Sequence, residues 1–419
     1  MITKISLEAW KSFRKAQLFL DPLTVLIGTN ASGKSNAIDA LDFLARIAES
    51  KDLRACLEAT ENGDSFRGGK DWVTLRGEEF FRIIVDAEGD DSVLYRYTIA
   101  VRPAPSPILV EESLEKVNLS KKGKEKSSLK LFWTDPCVND APSITARLYN
   151  TKRGTPREMQ RGIPILTQLN ISSSGIKAQA ILNGLRTMWR ALGHIFILNP
   201  IPSHMRDYCQ KSDRLSRDGS NLAGVIAALP DQEKTQVESR ILSYVKDLPE
   251  KDICSLEADL FGAFKSDAML LCREGWKTGE YPALVDARAM SDGTLRFIAI
   301  AAALLTLPEK TQLVIEEVDN GLHPSRAKLL LRMLREIGEK RKVDVIASTH
   351  NPALLDALGP EMVPFVVVAH REDNEGLSQL TLLEDLSDLP KLMAGGTLGR
   401  LVSRGDLETA LKSEVSHAK

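Results

Sequence analysis

The sequence predicts an α/β protein with a mixed central sheet, an antiparallel β subdomain and a short helical insertion. Three observations carry that expectation. Leu313-Val314-Ile315 is an apolar run suited to a parallel strand buried on both faces. Leu23–Ile27 is a second strand signal, followed by a helical period at Ile38, Leu41, Leu44 and Ile47. Alternating patterns at Phe80–Val85 and Val93–Val101, separated by Gly89-Asp90-Asp91, read as an antiparallel hairpin.

In chain order, residues 1–30 read as strand, turn, strand, turn, strand, with turns at Lys11–Arg14 and at Asp21-Pro22. A helix from Lys34 to about Ser50 and a glycine-containing loop from Asn62 to Lys70 precede the hairpin. Ser120–Ser128 reads as a polar, basic loop tip, either a solvated turn or a contact for nucleic acid or a partner. The period is helical over Leu166–Leu192 and Asn221–Tyr244, the latter with a cap at Arg217–Ser220. Neither stretch sustains the heptads of a long coiled coil. Strands are expected at Tyr281–Asp286, Thr311–Glu316, Val343–Ser348 and Met362–Val368, and helices at Thr294–Leu305 and Ser325–Gly338. This order suggests an N-terminal part (1–60), an inserted antiparallel sheet and helical region (61–275) and a C-terminal α/β part (276–419).

At 419 residues the chain is long enough for two or three lobes. A formal net charge of −2 gives no global argument for nucleic acid or an anionic membrane, although a local basic face would be hidden in that sum. The cysteines (Cys56, Cys137, Cys209, Cys254, Cys272) include no C-x-x-C pair, which argues against a zinc site or a disulfide framework. A cytoplasmic location is expected, because the opening Met1–Leu7 reads as a strand rather than a signal peptide. No apolar run is long enough to predict a membrane span.

Gly28-Thr29-Asn30-Ala31-Ser32-Gly33-Lys34-Ser35 fits G-x-x-x-x-G-K-[ST], between a strand and a helix. Backbone N–H groups of such a loop cradle phosphates, helped by the positive end of the following helix. Gly28, Asn30, Ser32, Gly33, Lys34, Ser35 and Asn36 are the candidate nucleotide-binding residues. Lys34 would reach the β and γ phosphates of ATP, and Ser35 would ligate Mg²⁺. Glu316 and Glu317 end the apolar strand, where burial without a cation is costly. Glu316 is the candidate for holding the Mg²⁺ shell, and Glu317 for deprotonating the attacking water. His350 ends the next apolar strand and could contact the γ-phosphate, although a lone histidine is more often structural. Ser291-Asp292-Gly293 opens the helix at Leu295 and could hold an anion, but an ordinary N-cap has the same look.

These motifs, in this order and spacing, resemble the ABC-type ATPase head of the SMC, RecF and overcoming-lysogenization-defect (OLD) branch. The nearest likeness is to stand-alone AAA-type ATPases of the OLD-like group, which share Glu-Glu-x-x-x-Gly-Leu-His-Pro and Ser-Asp-Gly-Thr. The resemblance implies that Ser291, Asp292 and Gly293 form the signature facing an opposite protomer's γ-phosphate. It places Asp319 in the D-loop and His350 at the switch histidine, with Glu317 and His350 as the catalytic pair. Phe13 and Arg14 fall in a basic-aromatic turn near the nucleotide. Most ABC proteins have Asp where Glu316 stands, and the signature lacks its second Gly and its Gln. No glutamine lies between Lys34 and Gln160 to serve as the Q-loop residue. Slow or partner-stimulated hydrolysis would suit such a site.

The resemblance implies a homodimer or higher homo-oligomer that controls a separately encoded effector in anti-phage defence. The segment after Pro352 is too short for a nuclease domain, and Glu384, Asp385 and Asp388 lack the Toprim pattern. A Toprim-like or HNH nuclease on another polypeptide is therefore expected. A RecF-like ATPase that binds DNA in repair or chromosome maintenance is the alternative. A membrane transporter subunit would need an L-S-G-G-Q signature, which is absent.

Overall fold

The computed structural model describes residues 1–49, 52–58, 66–90, 92–137, 141–171, 178–248, 253–278, 281–372 and 374–417. Residues 62–65 of the glycine-containing loop and Asp91 of the expected hairpin turn lie outside these residues, as does the middle of the 166–192 stretch. The strands of the N-terminal part are β1 (Ile2–Trp10), β2 (Phe13–Phe19), β3 (Leu23–Ile27), β4 (Phe81–Glu88), β5 (Val93–Arg102), β6 (Ile108–Leu119), β7 (Glu125–Thr134), β8 (Ser143–Leu148) and β9 (Thr155–Gln160). They are followed by β10 (Ile195–Leu198), β11 (Cys209–Gln210), β12 (Ile253–Phe261), β13 (Asp267–Thr278) and β14 (Tyr281–Asp286). The last are β15 (Gln312–Ile315), β16 (Asp344–Ser348), β17 (Val366–Arg371) and β18 (Ser378–Leu382).

The chain forms two compact units. One comprises Met1–Asp21, Thr29–Ile195 and Val367–Thr381; the other comprises Pro22–Gly28, Phe196–Val366 and Leu382–Lys419. The first is built on an antiparallel sheet of order β2-β1-β4-β5-β6-β7-β8-β9. Trp10 pairs with Phe13 across the β1–β2 turn, where Lys11 takes a left-handed φ of 48°. Trp10, Phe43, Phe66 and Phe81 form an aromatic cluster, with Trp10 and Phe81 edge to face at 4.9 Å. Trp10 also donates from Nε1 to the Asn36 carbonyl at 2.7 Å. This cluster fixes the first turns of the helix Lys34–Glu49 against β1. At the far edge of the sheet, the Gln168 side chain pairs with both backbone groups of Gln160 (3.1 and 2.9 Å) and caps the end of β9.

The second unit has a sheet of order β10-β15-β16-β3, in which β15, β16 and β3 run parallel. Leu313, Val314 and Ile315 are buried, as a strand covered on both faces requires. A smaller antiparallel sheet joins β11, β13, β12 and β14.

Several expectations need correction. The expected helix Asn221–Tyr244 is two helices, Leu222–Ala228 and Asp231–Val245, because Pro230 cannot continue the first. The expected cap there is an Asp218 turn, whose carboxylate accepts from Ser220 N at 3.0 Å. β14 pairs antiparallel with β13 rather than with the parallel strands. In Met362–Val368, Pro360 and Pro364 shape a 3-10 turn over Pro360–Phe365, and the strand begins only at Val366. The basic tip narrows to a turn at 120–124, since β7 already starts at Glu125. Strands β6, β8, β9, β12 and β13 were not expected at all.

One carboxylate lies in the core of the first unit. Glu112 on β6 is fully buried and accepts from Tyr97 Oη (2.9 Å), Ile165 N (2.6 Å) and Leu166 N (2.8 Å). Burial pushes its carboxyl up to about 7, against an ordinary value of 4.5, although the N–H donors pull the other way. The folded state then holds the proton more tightly than the unfolded chain, so this group's contribution to stability falls as pH rises from 4.5 to about 7. Glu112→Gln is expected to flatten that slope. Urea unfolding at pH 5 and pH 8 should show the wild-type-minus-variant difference shifting by about 3 kcal/mol.

Candidate nucleotide site

The phosphate loop follows β3. Gly28 (φ 140°) and Gly33 (φ 117°) adopt backbone conformations that favour glycine, and Ala31 is left-handed at 62°. Gly33 is also sterically required: a Cβ there would lie 2.6 Å from Ser378 Oγ and 3.0 Å from Phe13 Cζ. Asn30 is exposed at the tip, while Ser32, Gly33 and Lys34 are buried and Ser35 and Asn36 are half-buried. Lys34 Nζ donates across the loop to Thr29 O at 2.9 Å, and Ser32 N reaches the same oxygen at 3.3 Å. Ser32 Oγ is buried without a hydrogen-bond partner among the described residues. A loop with this donor set and orphaned hydroxyl fits a phosphate chain.

The β1–β2 turn braces this loop within the first unit. Asn36 Nδ2 donates to Ser12 Oγ (2.7 Å), so this side chain is committed to the turn. Lys11 pairs with buried Asp39 on the next helical turn at 2.5 Å. Desolvation lowers the Lys11 ammonium below its ordinary range, and Asp39 opposes that shift. Phe13 is wholly buried against Gly33. Arg14 is exposed and pairs with Glu375 at 2.6 Å. Arg371 donates from Nε to Ala31 O at 2.7 Å.

The second unit gathers the acids at the carboxyl ends of its parallel strands. Ser348 is in register with Leu26 and Ala347 with Ile315, so residues following β3, β15 and β16 leave the same sheet edge. Glu316 and Glu317, both half-buried, follow β15 directly. Glu317 has a left-handed φ of 48°, a strained state for a residue with a Cβ. Ser348 holds it there: its Oγ accepts from Glu317 N (2.9 Å) and its carbonyl from Val318 N (3.0 Å). Thr349 Oγ1 donates to Asp319 Oδ1 at 2.7 Å. His350 is exposed with Nδ1 3.8 Å from Glu317 Oε1, beyond hydrogen-bond length.

The Ser-Asp-Gly segment lies in the same unit. Ser291 caps the helix Asp292–Thr306, its Oγ accepting from Thr294 N at 3.2 Å. Ser291 and Asp292 are exposed, whereas Gly293 is buried; a Cβ on it would lie 2.6 Å from Gly321 O. Arg206 Nη1 converges on the carbonyls of Ala287 (3.0 Å), Arg288 (2.8 Å) and Met290 (2.8 Å), and Nη2 on Asp292 Oδ1 (2.5 Å). The Arg296 guanidinium is pushed below its ordinary range by desolvation, with Asp292 and Glu317 pulling it back.

The structure therefore brings Phe13 to the phosphate loop in one unit, where Arg14 faces Glu375 instead, and Glu316, Glu317, Asp319 and His350 to one sheet edge in the other. Sequence reasoning missed Arg371, Ser378, Glu375, Arg206 and Arg296. Arg371 alone had a local signal, a charged residue ending an apolar strand. Among the described residues, no cluster of three or more His, Cys, Asp or Glu side chains is arranged for a metal. Mg²⁺ bound with a nucleotide takes most of its ligands from phosphate and water, so a nucleotide-borne Mg²⁺ needs no such cluster.

The fold is that of an ABC-type ATPase head. A crystal structure of the SMC head bound to the C-winged helix domain of ScpA is similar at a TM-score of 0.50 and 13% identity, covering 91% of this chain and 96% of that one. The SMC head domain from Thermotoga maritima (TM-score 0.42, 15% identity) covers 91% of this chain and 98% of its own. The head with an extended coiled coil bound to the C-terminal domain of ScpA from Pyrococcus furiosus has a TM-score of 0.43 and 13% identity, covering 94% and 99%. The family model described as "AAA domain, putative AbiEii toxin, Type IV TA system" matches residues 23–356, and the chain belongs to that family. Membership of an AAA-domain family makes it an ATPase, a class that binds ATP, typically with Mg²⁺. No curated protein matches it. Among the described residues, no helix is long and apolar enough to cross a membrane.

The strain at Glu317 can be tested directly. Glu317→Gly relieves the left-handed backbone, and is expected to raise stability by about 0.5–1 kcal/mol in denaturant unfolding while ATP turnover falls. A drop in stability would mean that the Glu317 side chain holds the loop rather than straining it.

Proposed function

We propose that this chain is an ATP-operated sensor and scaffold that dimerises head to head and controls a separately encoded effector in anti-phage defence. The observation that carries this reading is the exposed Ser291-Asp292 start of a 15-residue helix, held in place by Arg206. Helix N-termini favour anions. A nucleotide on a second protomer would supply one, giving composite sites shared by two chains. ATP then acts as a ligand with different affinities for the open and assembled states.

In this reading Gly28, Asn30, Ser32, Gly33, Lys34 and Ser35 hold the phosphates, and Asn36 with Phe13 and Arg14 shapes the loop's flank. Ser35 and Glu316 hold Mg²⁺, which supplies charge neutralisation at the phosphates. Glu317 accepts a proton from the water that attacks the γ-phosphorus, and the bond to the ADP oxygen breaks. His350 orients the γ-phosphate, and Asp319, tethered by Thr349, links the sheet edge to the partner protomer. Residues 1–60 and 276–419 form the head, and the insertion 61–275 carries partner contacts. The effector is a nuclease of Toprim-like or HNH type, and the setting is the cytoplasm.

Two comparisons support the wider role. The family's description names a toxin of a toxin–antitoxin system, a two-gene arrangement. The similar SMC head was crystallised with a domain of a second protein on it.

Lys34→Ala should weaken ATP binding by roughly a hundredfold, about 3 kcal/mol. Glu317→Gln should bind ATP, stop turnover and accumulate dimers in mass photometry with Mg²⁺; Ser291→Arg should bind ATP yet block that dimer. Co-expression with the neighbouring gene product should yield a stable complex. Dimers that ignore the neighbour but shift on duplex DNA would replace this reading with a RecF-like one.

A further inference from the structure

The hairpin formed by β17 and β18 has no part in the nucleotide reading, yet within the first unit it is fastened to the phosphate loop at several points. Ser378 N donates to Ser12 O at 2.9 Å, and Ser12 Oγ in turn accepts from Asn36 Nδ2 at 2.7 Å. Ser378 is fully buried, its Oγ has no partner among the described residues, and that atom faces the Cα of Gly33. Glu375 holds Arg14 at 2.6 Å. The hairpin closes on itself through Glu372 N to Leu377 O at 2.9 Å. Its position relative to the loop is thus set by the helix start and the β1–β2 turn.

Arg371 works from this platform. Its Nε donates to Ala31 O at 2.7 Å, across 340 residues of sequence. Ala31 is the left-handed residue of the loop. A trans peptide points its C=O and N–H in opposite directions. Holding the Ala31 oxygen on the Arg371 side therefore turns the Ser32 N–H to the other side, where it shares Thr29 O with Lys34 Nζ. A backbone amide and an ammonium aimed at one oxygen are the donors that a phosphate oxygen would take over.

We propose that Arg371 is a positioning residue of the phosphate loop, anchoring the Ala31 carbonyl so that the Ser32 N–H stays directed at the β-phosphate. The proposal rests on the nucleotide reading of the loop. A surface arginine bonded to a carbonyl is ordinarily of little consequence; the fixed hairpin and the left-handed Ala31 make this bond a constraint on backbone direction.

The test is calorimetric titration of ATP, ADP and AMP into wild type, Arg371→Ala, Arg371→Lys and Lys34→Ala, with the melting temperature of each nucleotide-free protein. Arg371→Ala should weaken ATP and ADP about tenfold alike, leave AMP unchanged and keep the nucleotide-free melting temperature. Arg371→Lys, which can still donate to Ala31 O, should recover most of the loss. Unchanged ATP binding in Arg371→Ala, while Lys34→Ala weakens it by roughly a hundredfold, overturns the role of Arg371 and leaves the nucleotide site standing. An equal loss for AMP, or a melting temperature several degrees lower, overturns it in favour of a structural role. Absence of ATP binding in wild type overturns the nucleotide reading and this proposal with it.

Discussion

The absence of a side chain at Gly33 is the constraint on which the phosphate-loop region depends. Phe13 closes on that Cα from the β1–β2 turn and Ser378 from the last hairpin, leaving no room for a methyl group. Because both approach, three segments distant in sequence meet at one backbone atom, and the helix that begins at Lys34 has a fixed origin. The Trp10 cluster and the buried Lys11–Asp39 pair extend this bracing along the helix. A buried ion pair adds little net stability, but removing one partner leaves the other charge stranded. The arrangement therefore fixes direction more than it adds stability.

The acid-bearing edge of the second unit follows a different logic. Ser348 at the end of β16 and Thr349 just after it reach into the neighbouring loop, Ser348 to Glu317 and Thr349 to Asp319. Strand pairing supplies the register, and these hydroxyls convert it into positions for two carboxylates. The left-handed backbone of Glu317 is maintained by those bonds, which is where strain is expected when a side chain must face outward from a tight turn.

Much of this was legible in the sequence because the signals are local. The phosphate loop is read from its own residues and its flanking strand and helix; Glu316, Glu317 and His350 are read from the apolar strands they terminate. Strands such as β6 and β9 escaped because charged residues interrupt their alternation, as at Glu111-Glu112 and Arg157-Glu158. Pro230 and Pro364 were visible, yet their effect on the helix at 221–244 and the strand at 362–368 was underestimated. Arg371 and Ser378 could not be tied to the loop, since a hydrogen bond spanning 340 residues leaves no periodic trace. Phe13 was noticed as part of a basic-aromatic turn, but its complete burial against Gly33 emerges only from the packing.

Arg206 has a consequence of its own. The segment Ala287–Met290 turns from β14 into the helix Asp292–Thr306, and the carbonyls of Ala287, Arg288 and Met290 converge on one guanidinium carried by the stretch after Pro202. A lysine has no fork with which to reproduce that convergence. Order at the start of the helix Asp292–Thr306 is therefore borrowed in part from a distant residue, beside the local Ser291 cap. Drift in the stretch around Arg206 would be felt at Asp292, although the chain separates the two by 86 positions.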